Sequence, residues 1–439
     1  MRRVEEDANR PARFSSFPSV FSVANRIGWN AAWLLAARVG QQAILLLFTA
    51  LVARQLGEVG LGQVAWVTAV LYLGNVFSTF GLDTVLLRQV GAERQTSTVP
   101  LVAALVLQLL LAGIFIGLLF VLPFAGQSAA TVTGLRLYGW SLLPLAFLTL
   151  TSAVLRGHEQ MGWLAALTLS TAVLQVVGTA VVFVLGGGFA ALMGWLLAAQ
   201  AASAGAGWWL CHRVLPGFGL NWPLFRWQAV VALAKTGFWL ALLVGTAVLL
   251  QRLGILLLGW LGTEGQTGQL AAALRLVEAA RLLPGAVMGA LFPVLARERL
   301  EIGNWRLPIS NSQLLIANYQ KGLLGYGVLA AVGLWLLARP LVSLLFGVGY
   351  ETAVPLLQIL AWGVIPFTLS LPLSVELVVA GREKRVLLAT FVVLVGTAVL
   401  TTAAFTRLGL PGVAWGLVLG EWLLVMLLLG MKRYRMPRI

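Results

Sequence analysis

Three charged residues stand at steps of three inside an apolar stretch, LRLVEAARLLP (274–284), and they are Arg275, Glu278 and Arg281. At about 100° per residue, the three side chains fall within an arc of about 120° and form one stripe on a helix. Arginine keeps its charge in proteins, and its planar guanidinium group can bind phosphate oxygens bidentately. The stripe therefore indicates an anion-binding surface.

Other charges also lie deep in apolar segments, and they are Arg38, Arg252, Glu376 and Glu421. A charge at the centre of a bilayer costs about 2.5–3.5 kcal/mol on insertion scales, so such residues usually face a wet cavity or a partner. A structural network, in which Glu278 pairs with one arginine three positions away, is the alternative. Because that alternative leaves the other arginines unpaired, an anion-binding cavity formed by Arg38, Arg252, Arg275, Glu278 and Arg281 is favoured.

Four further residues are assigned a coupling or structural role, and they are Asp83, Arg88, Glu376 and Glu421. Asp83 and Arg88 lie near one end of a predicted span, where an ion pair is the simplest interpretation. No cofactor or metal site is expected, since the chain has one cysteine, Cys211, and two histidines. Coupling to H⁺ or Na⁺ is left open.

Composition places these residues in a membrane protein. Of the 439 residues, 60% are hydrophobic and only 10% are charged, whereas about a quarter of the residues in a soluble domain are charged. Apolar stretches long enough to cross a bilayer core of about 30 Å recur along the chain. The expected fold is therefore all-α and polytopic, with about twelve transmembrane helices. The predicted spans are 30–53, 62–86, 99–124, 133–155, 163–185, 189–212, 230–259, 267–295, 313–337, 352–378, 386–406 and 411–431.

The distribution of Lys and Arg predicts the orientation. With the N-terminus in the cytoplasm, most basic residues fall in cytoplasmic segments, and those in outside segments are Arg54, Arg136, Arg339 and Arg407. This bias is typical of cytoplasmic loops and places both termini in the cytoplasm. It also accounts for the net charge of +15 without a nucleic-acid partner.

An internal repeat predicts two lobes. LGEVGLGQVA (56–65) resembles LGTEGQTGQLA (261–271), about 205 residues later, and PLAFLTLTSAVLRGHEQ (144–160) resembles PFTLSLPLSVELVVAGREK (366–384). Both pairs relate one span to the span six positions later, so the halves share one orientation, with a pseudo-two-fold axis along the membrane normal and a central cavity. The predicted units are a cytoplasmic lead (1–28), an N-lobe of spans 1–6 (29–213), a cytoplasmic linker (214–229), a C-lobe of spans 7–12 (230–431) and a basic tail (432–439).

Four segments in order carry a family resemblance, and they are 53–91, 274–297, 344–384 and 408–421. They resemble the first hairpin, the eighth span, the ninth-to-tenth region and the last span of polysaccharide-biosynthesis and O-antigen-type lipid-linked oligosaccharide flippases. These flippases are members of the multidrug/oligosaccharidyl-lipid/polysaccharide exporter superfamily.

The resemblance implies alternating-access transport of undecaprenyl-diphosphate-linked oligosaccharide to the outer leaflet of the bacterial inner membrane, for O-antigen, exopolysaccharide or capsule biosynthesis. It implies no enzymatic activity, and it makes Arg38, Arg252, Arg275 and Arg281 the candidates for binding the diphosphate. The implied partners are the lipid-linked glycan and membrane lipids, with a polysaccharide polymerase and glycosyltransferases as further candidates.

Two rival functions remain. A cation-coupled multidrug antiporter of the same superfamily would be expected to carry carboxylates in its cavity, whereas the deep cluster here is mostly arginine. A membrane glycosyltransferase or polymerase acting on the same lipid would need a large external loop with acidic or histidine residues. The longest predicted outside segment is short and contains one acidic residue, Glu351, so the enzyme is disfavoured.

Overall fold

A computed structural model of the chain describes residues 20–82, 85–86, 98–124, 126–220, 223, 225–300 and 309–433. The described residues form helices and connecting turns, with no β-strand among them. The helices are α1 (Val20–Thr79), α2 (Thr98–Val121), α3 (Ala129–Gly139), α4 (Leu142–Gly157), α5 (Met161–Val184), α6 (Phe189–Val214), α7 (Trp227–Leu261), α8 (Glu264–Leu300), α9 (Ile309–Leu336), α10 (Ala338–Phe346), α11 (Ala353–Ala361), α12 (Val364–Val379), α13 (Glu383–Leu408) and α14 (Leu410–Arg433).

Helix α1 folds back on itself at Gly57. This residue has φ 66° and ψ −170°, a conformation that glycine adopts readily because it has no Cβ. Leu45 and Tyr72 line the same cavity, although a continuous helix would hold them about 40 Å apart. Gly57 therefore separates two arms of α1, which correspond to the first and second predicted spans.

The described helices coincide with the predicted spans. Among the described residues, seven helices are long and apolar enough to cross a membrane, and three bent pairs, each taken as one span, bring the total to ten. The pairs are α3 with α4, α9 with α10, and α11 with α12. The fold-back divides α1 into the first two predicted spans, and the 37-residue α8, which carries the charged stripe and is not one of these ten, covers the eighth predicted span. The predicted all-α polytopic fold is confirmed in the part of the chain that the structure describes, while the residue boundaries of the lobes remain predictions.

The two halves of the chain are joined mainly through α1 and α8, which make the most extensive contact between them. Around the Gly57 end of these helices, one hydrophobic core includes side chains from both halves, among them Val52, Trp66, Leu258 and Leu276. Towards the opposite end, a second cluster is centred on α2, α4 and α6 and also includes Val230 and Leu233 of α7, and a smaller cluster lies on α12, α13 and α14. The largest core shared by the two lobes therefore lies at the Gly57 end, and the two larger cavities described below are lined by residues of both lobes.

The fused end contains a set of contacts that we call the interlobe junction, defined by Glu58, Gly62 and Gln63 on α1 and by Glu264, Gly268 and Gln269 on α8. Each residue of the first set has the same type as the residue 206 positions later. The Gln63 side-chain amide donates to Glu264 at 2.9 Å, and the Gln269 amide donates reciprocally to Glu58. The repeat seen in the sequence thus builds a pseudo-symmetric hydrogen-bonded contact between the lobes.

Two glycines let the backbones of the junction touch. A Cβ on Gly62 would lie 1.8 Å from the carbonyl oxygen of Glu264, and a Cβ on Gly268 would lie 1.9 Å from that of Glu58. Real Cβ atoms do not approach other atoms so closely, so a larger residue at either position would push the helices apart. The close crossing of α1 and α8 therefore depends on glycine at both positions.

Candidate functional site

The centre of the interlobe space holds a cavity that we call the arginine cavity, defined by Arg252, Arg275 and Glu278 together with Thr49 and Tyr72. It has a volume of about 260 Å³ and lies between both arms of α1 and the helices α7 and α8. Glu278 bridges the two arginines: its Oε1 accepts from Arg252 Nη1 at 2.8 Å, and its Oε2 accepts from Arg275 Nη1 at 2.7 Å. Three residues predicted from the sequence are therefore brought together.

Two residues of the N-terminal half fix the arginines from the other side. Thr49 accepts a hydrogen bond from Arg275 Nε at 2.9 Å, and its own hydroxyl donates to the carbonyl of Leu45. The Arg252 guanidinium lies over the ring of Tyr72 at 5.1 Å from the ring centre, a cation–π contact. Both guanidinium groups are thus held at the interface between the lobes.

The arginines retain hydrogen-bonding capacity towards a ligand. Nη2 of Arg252 and Nη2 of Arg275 make no hydrogen bond within the described part of the chain. Two guanidinium groups and one carboxylate leave a net charge of +1. Because the side chains are 16–30% exposed, the cavity can present this charge and these donors to an anion.

Arg281 lies apart from this group. It pairs with Glu421 on α14, with Nη1 2.9 Å from Oε1, and donates to the carbonyl of Gly363 at 3.3 Å. Its guanidinium also stacks over Phe367 at 4.6 Å from the ring centre. The adjoining cavity of about 40 Å³ has room for no more than a few water molecules. The stripe predicted from the sequence is therefore divided, since Arg281 faces helices of its own lobe.

The remaining predicted residues lie elsewhere. Glu376 on α12 pairs with Lys432 near the end of α14, with 2.8 Å between the charged atoms, and lines none of the cavities above. Asp83 and Arg88 lie outside the described residues, as does the side chain of Arg38. Predicted roles for these three residues stay predictions.

Sequence reasoning missed the residues that complete the cavity. Thr49 and Tyr72 carry no charge and sit among apolar neighbours, so nothing in their local sequence marks them. Gln63 and Gln269 could have been found, because they occupy equivalent places in the repeat that was recognised. Among the described residues, no group of three or more His, Cys, Asp or Glu side chains could hold a metal ion.

Sequence comparison identifies a family. The family model described as "Polysaccharide biosynthesis protein" matches residues 27–298, more than half of the chain. No curated protein sequence matches.

Solved structures share the fold at low sequence identity. An inward-facing multidrug resistance MATE family transporter of the MOP superfamily has a TM-score of 0.75 and 16% identity, covering 92% of this chain and 98% of that one. The lipid II flippase MurJ in an inward closed conformation has a TM-score of 0.70 and 14% identity, and the match covers 91% of this chain and 87% of that one. An outward-facing multidrug resistance MATE family transporter has a TM-score of 0.61 and 14% identity, and the match covers 92% of this chain and 95% of that one. These likenesses confirm the expected two-lobed fold, and the match of the family model shows that the chain belongs to the polysaccharide biosynthesis protein family.

Proposed function

We propose that this protein is a flippase that moves an undecaprenyl-diphosphate-linked oligosaccharide from the cytoplasmic to the outer leaflet of the bacterial inner membrane. The observation that carries the proposal is the arginine pair bridged by Glu278 between the lobes, with Nη2 of Arg252 and of Arg275 available to a ligand. Two guanidinium groups at one site suit the two negatively charged phosphates of a lipid diphosphate. Glu278 serves as a positioning residue, since it holds both arginines towards each other.

Alternating access supplies the mechanism. With the interlobe junction on the outer side, as the distribution of basic residues predicts, the lobes are joined on that side and the arginine cavity is reached from the cytoplasm. The higher TM-score with the inward-facing transporter (0.75) than with the outward-facing one (0.61) supports this assignment. Release of the substrate then requires the junction to separate and the opposite ends of the lobes to close.

A cation-coupled multidrug antiporter is the main alternative, because several neighbours in fold are multidrug transporters. The charge of the cavity favours the flippase: two arginines outweigh one carboxylate, so a cationic drug would meet a net positive surface. Catalysis is not part of the proposal. The proposed partners are the lipid-linked glycan and membrane lipids, with the enzymes that make and polymerise the glycan as further candidates.

Binding to the full-length protein in nanodiscs tests the proposal. We expect undecaprenyl diphosphate to bind wild-type protein and the cationic dye rhodamine 6G to bind at least tenfold more weakly. Arg252→Ala and Arg275→Ala should each weaken diphosphate binding by about tenfold, equivalent to ~1.4 kcal/mol. Arg407→Ala is the matched control, since Arg407 is exposed near the end of α13. Tighter binding of the dye than of the diphosphate would favour the antiporter instead.

A further inference from the structure

A second cavity adjoins the arginine cavity and has a different lining. We call it the hydroxyl cavity; its polar residues are Asn75, Thr79, Thr149, Ser152 and Arg156, and its volume is about 340 Å³. It lies between the second arm of α1, α4 and α7, farther from the interlobe junction. Tyr72 lines both cavities. A ligand bound to the arginines could therefore extend past Tyr72 into this second space.

The lining of the hydroxyl cavity provides unused hydrogen-bonding groups. The Asn75 side-chain carbonyl oxygen is buried and has no hydrogen-bond partner among the described residues. The Thr149 hydroxyl donates to the backbone carbonyl of Leu145 at 2.9 Å, and the Thr79 hydroxyl donates to the backbone carbonyl of Asn75 at 2.8 Å. Each hydroxyl oxygen therefore keeps lone pairs for accepting a hydrogen bond. A buried acceptor without a donor is costly, so this lining suits a ligand that carries many hydroxyl groups.

Tyr72 adds an aromatic surface at the entrance. Tyr72 is 43% exposed, and its ring contacts the Arg252 guanidinium at 5.1 Å from the ring centre. The face of an aromatic ring is electron-rich, so it attracts the weakly positive C–H groups on the face of a pyranose ring. Amides and hydroxyls beside an aromatic ring match the alternating polar and apolar surfaces of a sugar.

We infer that the hydroxyl cavity is a saccharide subsite, in which the sugar attached to the diphosphate packs near Tyr72 and hydrogen-bonds to Asn75 and Thr149. The inference rests on the proposed function, because it takes the diphosphate to lie at Arg252 and Arg275. Arg156 lies in the same lining, on the last turn of α4, where it can contact sugars farther along the oligosaccharide. In this arrangement, Asn75 and Tyr72 contact the first sugar and contribute to its recognition.

Comparing lipids with and without a sugar separates this subsite from the diphosphate site. The probes are undecaprenyl diphosphate and the same lipid carrying one glucose, galactose or N-acetylglucosamine, each bound to the full chain in nanodiscs. We expect at least one sugar to tighten binding to wild-type protein about fivefold. Asn75→Leu and Thr149→Val should remove most of this gain while the affinity for the bare lipid changes less than twofold.

Further variants make the test specific. Tyr72→Phe should keep most of the gain, because the ring remains, whereas Tyr72→Leu should lose it. Thr236→Val is the matched control, since Thr236 is exposed on α7 and donates to the carbonyl of Ala232 at 3.0 Å in the same way as Thr149 bonds within its helix. A cooperative thermal unfolding transition shows that a variant folds. If Asn75→Leu does not fold, Thr149→Val, which nearly conserves the shape of the side chain, tests the subsite in its place.

The outcomes are distinguishable. A gain that persists in Asn75→Leu, Thr149→Val and Tyr72→Leu would overturn the subsite, as would the absence of any gain in wild-type protein that binds the bare lipid. Failure of wild-type protein to bind undecaprenyl diphosphate at all would overturn the proposed function and the subsite together.

Discussion

The interlobe junction and the arginine cavity both involve α1 and α8, but the residue types of the repeat match at the junction and differ at the cavity. At the junction, the two lobes contribute the same residue types at positions 206 apart. Along the charged stripe of α8, the positions equivalent to Arg275, Glu278 and Arg281 at this spacing are Ala69, Tyr72 and Asn75. The halves are alike where they close against each other and differ where a ligand would bind.

This difference has a physical reason. A contact between two related surfaces is self-complementary when each glutamate meets the glutamine of the other lobe, as Gln63 meets Glu264. An asymmetric substrate has a charged diphosphate on one side and a neutral sugar on the other, so it fits a cavity with unlike walls. The C-terminal half supplies the charges of the arginine cavity, and the N-terminal half supplies Tyr72 and Asn75.

The largest effect is expected from filling the glycine contact at the junction. Gly268→Val places a side chain where a Cβ already lies 1.9 Å from the Glu58 carbonyl oxygen, and overpacking of this kind typically costs about 1–3 kcal/mol. We expect the lobes to be held apart at the junction and flipping to fall by more than tenfold, measured with proteoliposomes. Gly113→Val is the control, because nothing lies within 4 Å of a Cβ at Gly113. Wild-type flipping by Gly268→Val would show that the junction need not close.

The next effect concerns the charge between the arginines. Glu278→Gln removes the carboxylate that both Arg252 and Arg275 bind, so the two guanidinium groups repel each other without compensation. We expect a lower melting temperature for the protein without ligand and a larger rise in that temperature when undecaprenyl diphosphate is added, measured by scanning fluorimetry. An unchanged rise would mean that Glu278 does not influence the anion site.

A smaller and different effect is expected at Arg281. Arg281→Met leaves Glu421 without its partner, which should destabilise the fold by about 1–3 kcal/mol, less than for a fully buried pair because the side chains are partly exposed. The double variant Arg281→Met with Glu421→Leu should recover stability. Affinity for undecaprenyl diphosphate should stay within twofold of wild type in the double variant. A tenfold loss of affinity for undecaprenyl diphosphate in the double variant would show that Arg281 takes part in binding the lipid.

The smallest effect is the pH dependence of the junction. Burial raises the pKa of the Glu264 carboxyl, but hydrogen bonds from Thr131, Ser128 and Gln63 outweigh burial and leave this pKa below its ordinary value. A carboxyl with a lowered pKa stabilises the folded state above its unfolded pKa of about 4.3, and this contribution is lost as the pH falls.

Glu264→Gln should therefore lower the melting temperature by a constant amount above about pH 5, and by less in stronger acid. Melting curves of both proteins between neutral and acidic pH provide the measurement. A difference that grows on acidification would contradict the sign of the pKa shift.

Much of the fold follows from local sequence. Apolar length predicted most of the membrane-spanning helices, and the Leu56-Gly57 and Leu261-Gly262 turns marked equivalent places in both halves. The Arg252–Glu278–Arg275 group was anticipated because charges are rare in apolar spans. The separation of Arg281 could not be anticipated, since an arc of about 120° is wide enough to face two cavities. Its partner Glu421 and the Thr49 contact of Arg275 are long-range contacts, which a helical period does not encode.

Flipping of a fluorescent undecaprenyl-diphosphate-linked saccharide in proteoliposomes tests the central claim most directly. We expect wild-type protein and Arg407→Ala to move the lipid at similar rates, and we expect the double variant Arg252→Ala with Arg275→Ala to reconstitute normally but to move it at least tenfold more slowly. Flipping by that double variant at the wild-type rate would contradict the claim that this arginine pair binds the transported lipid.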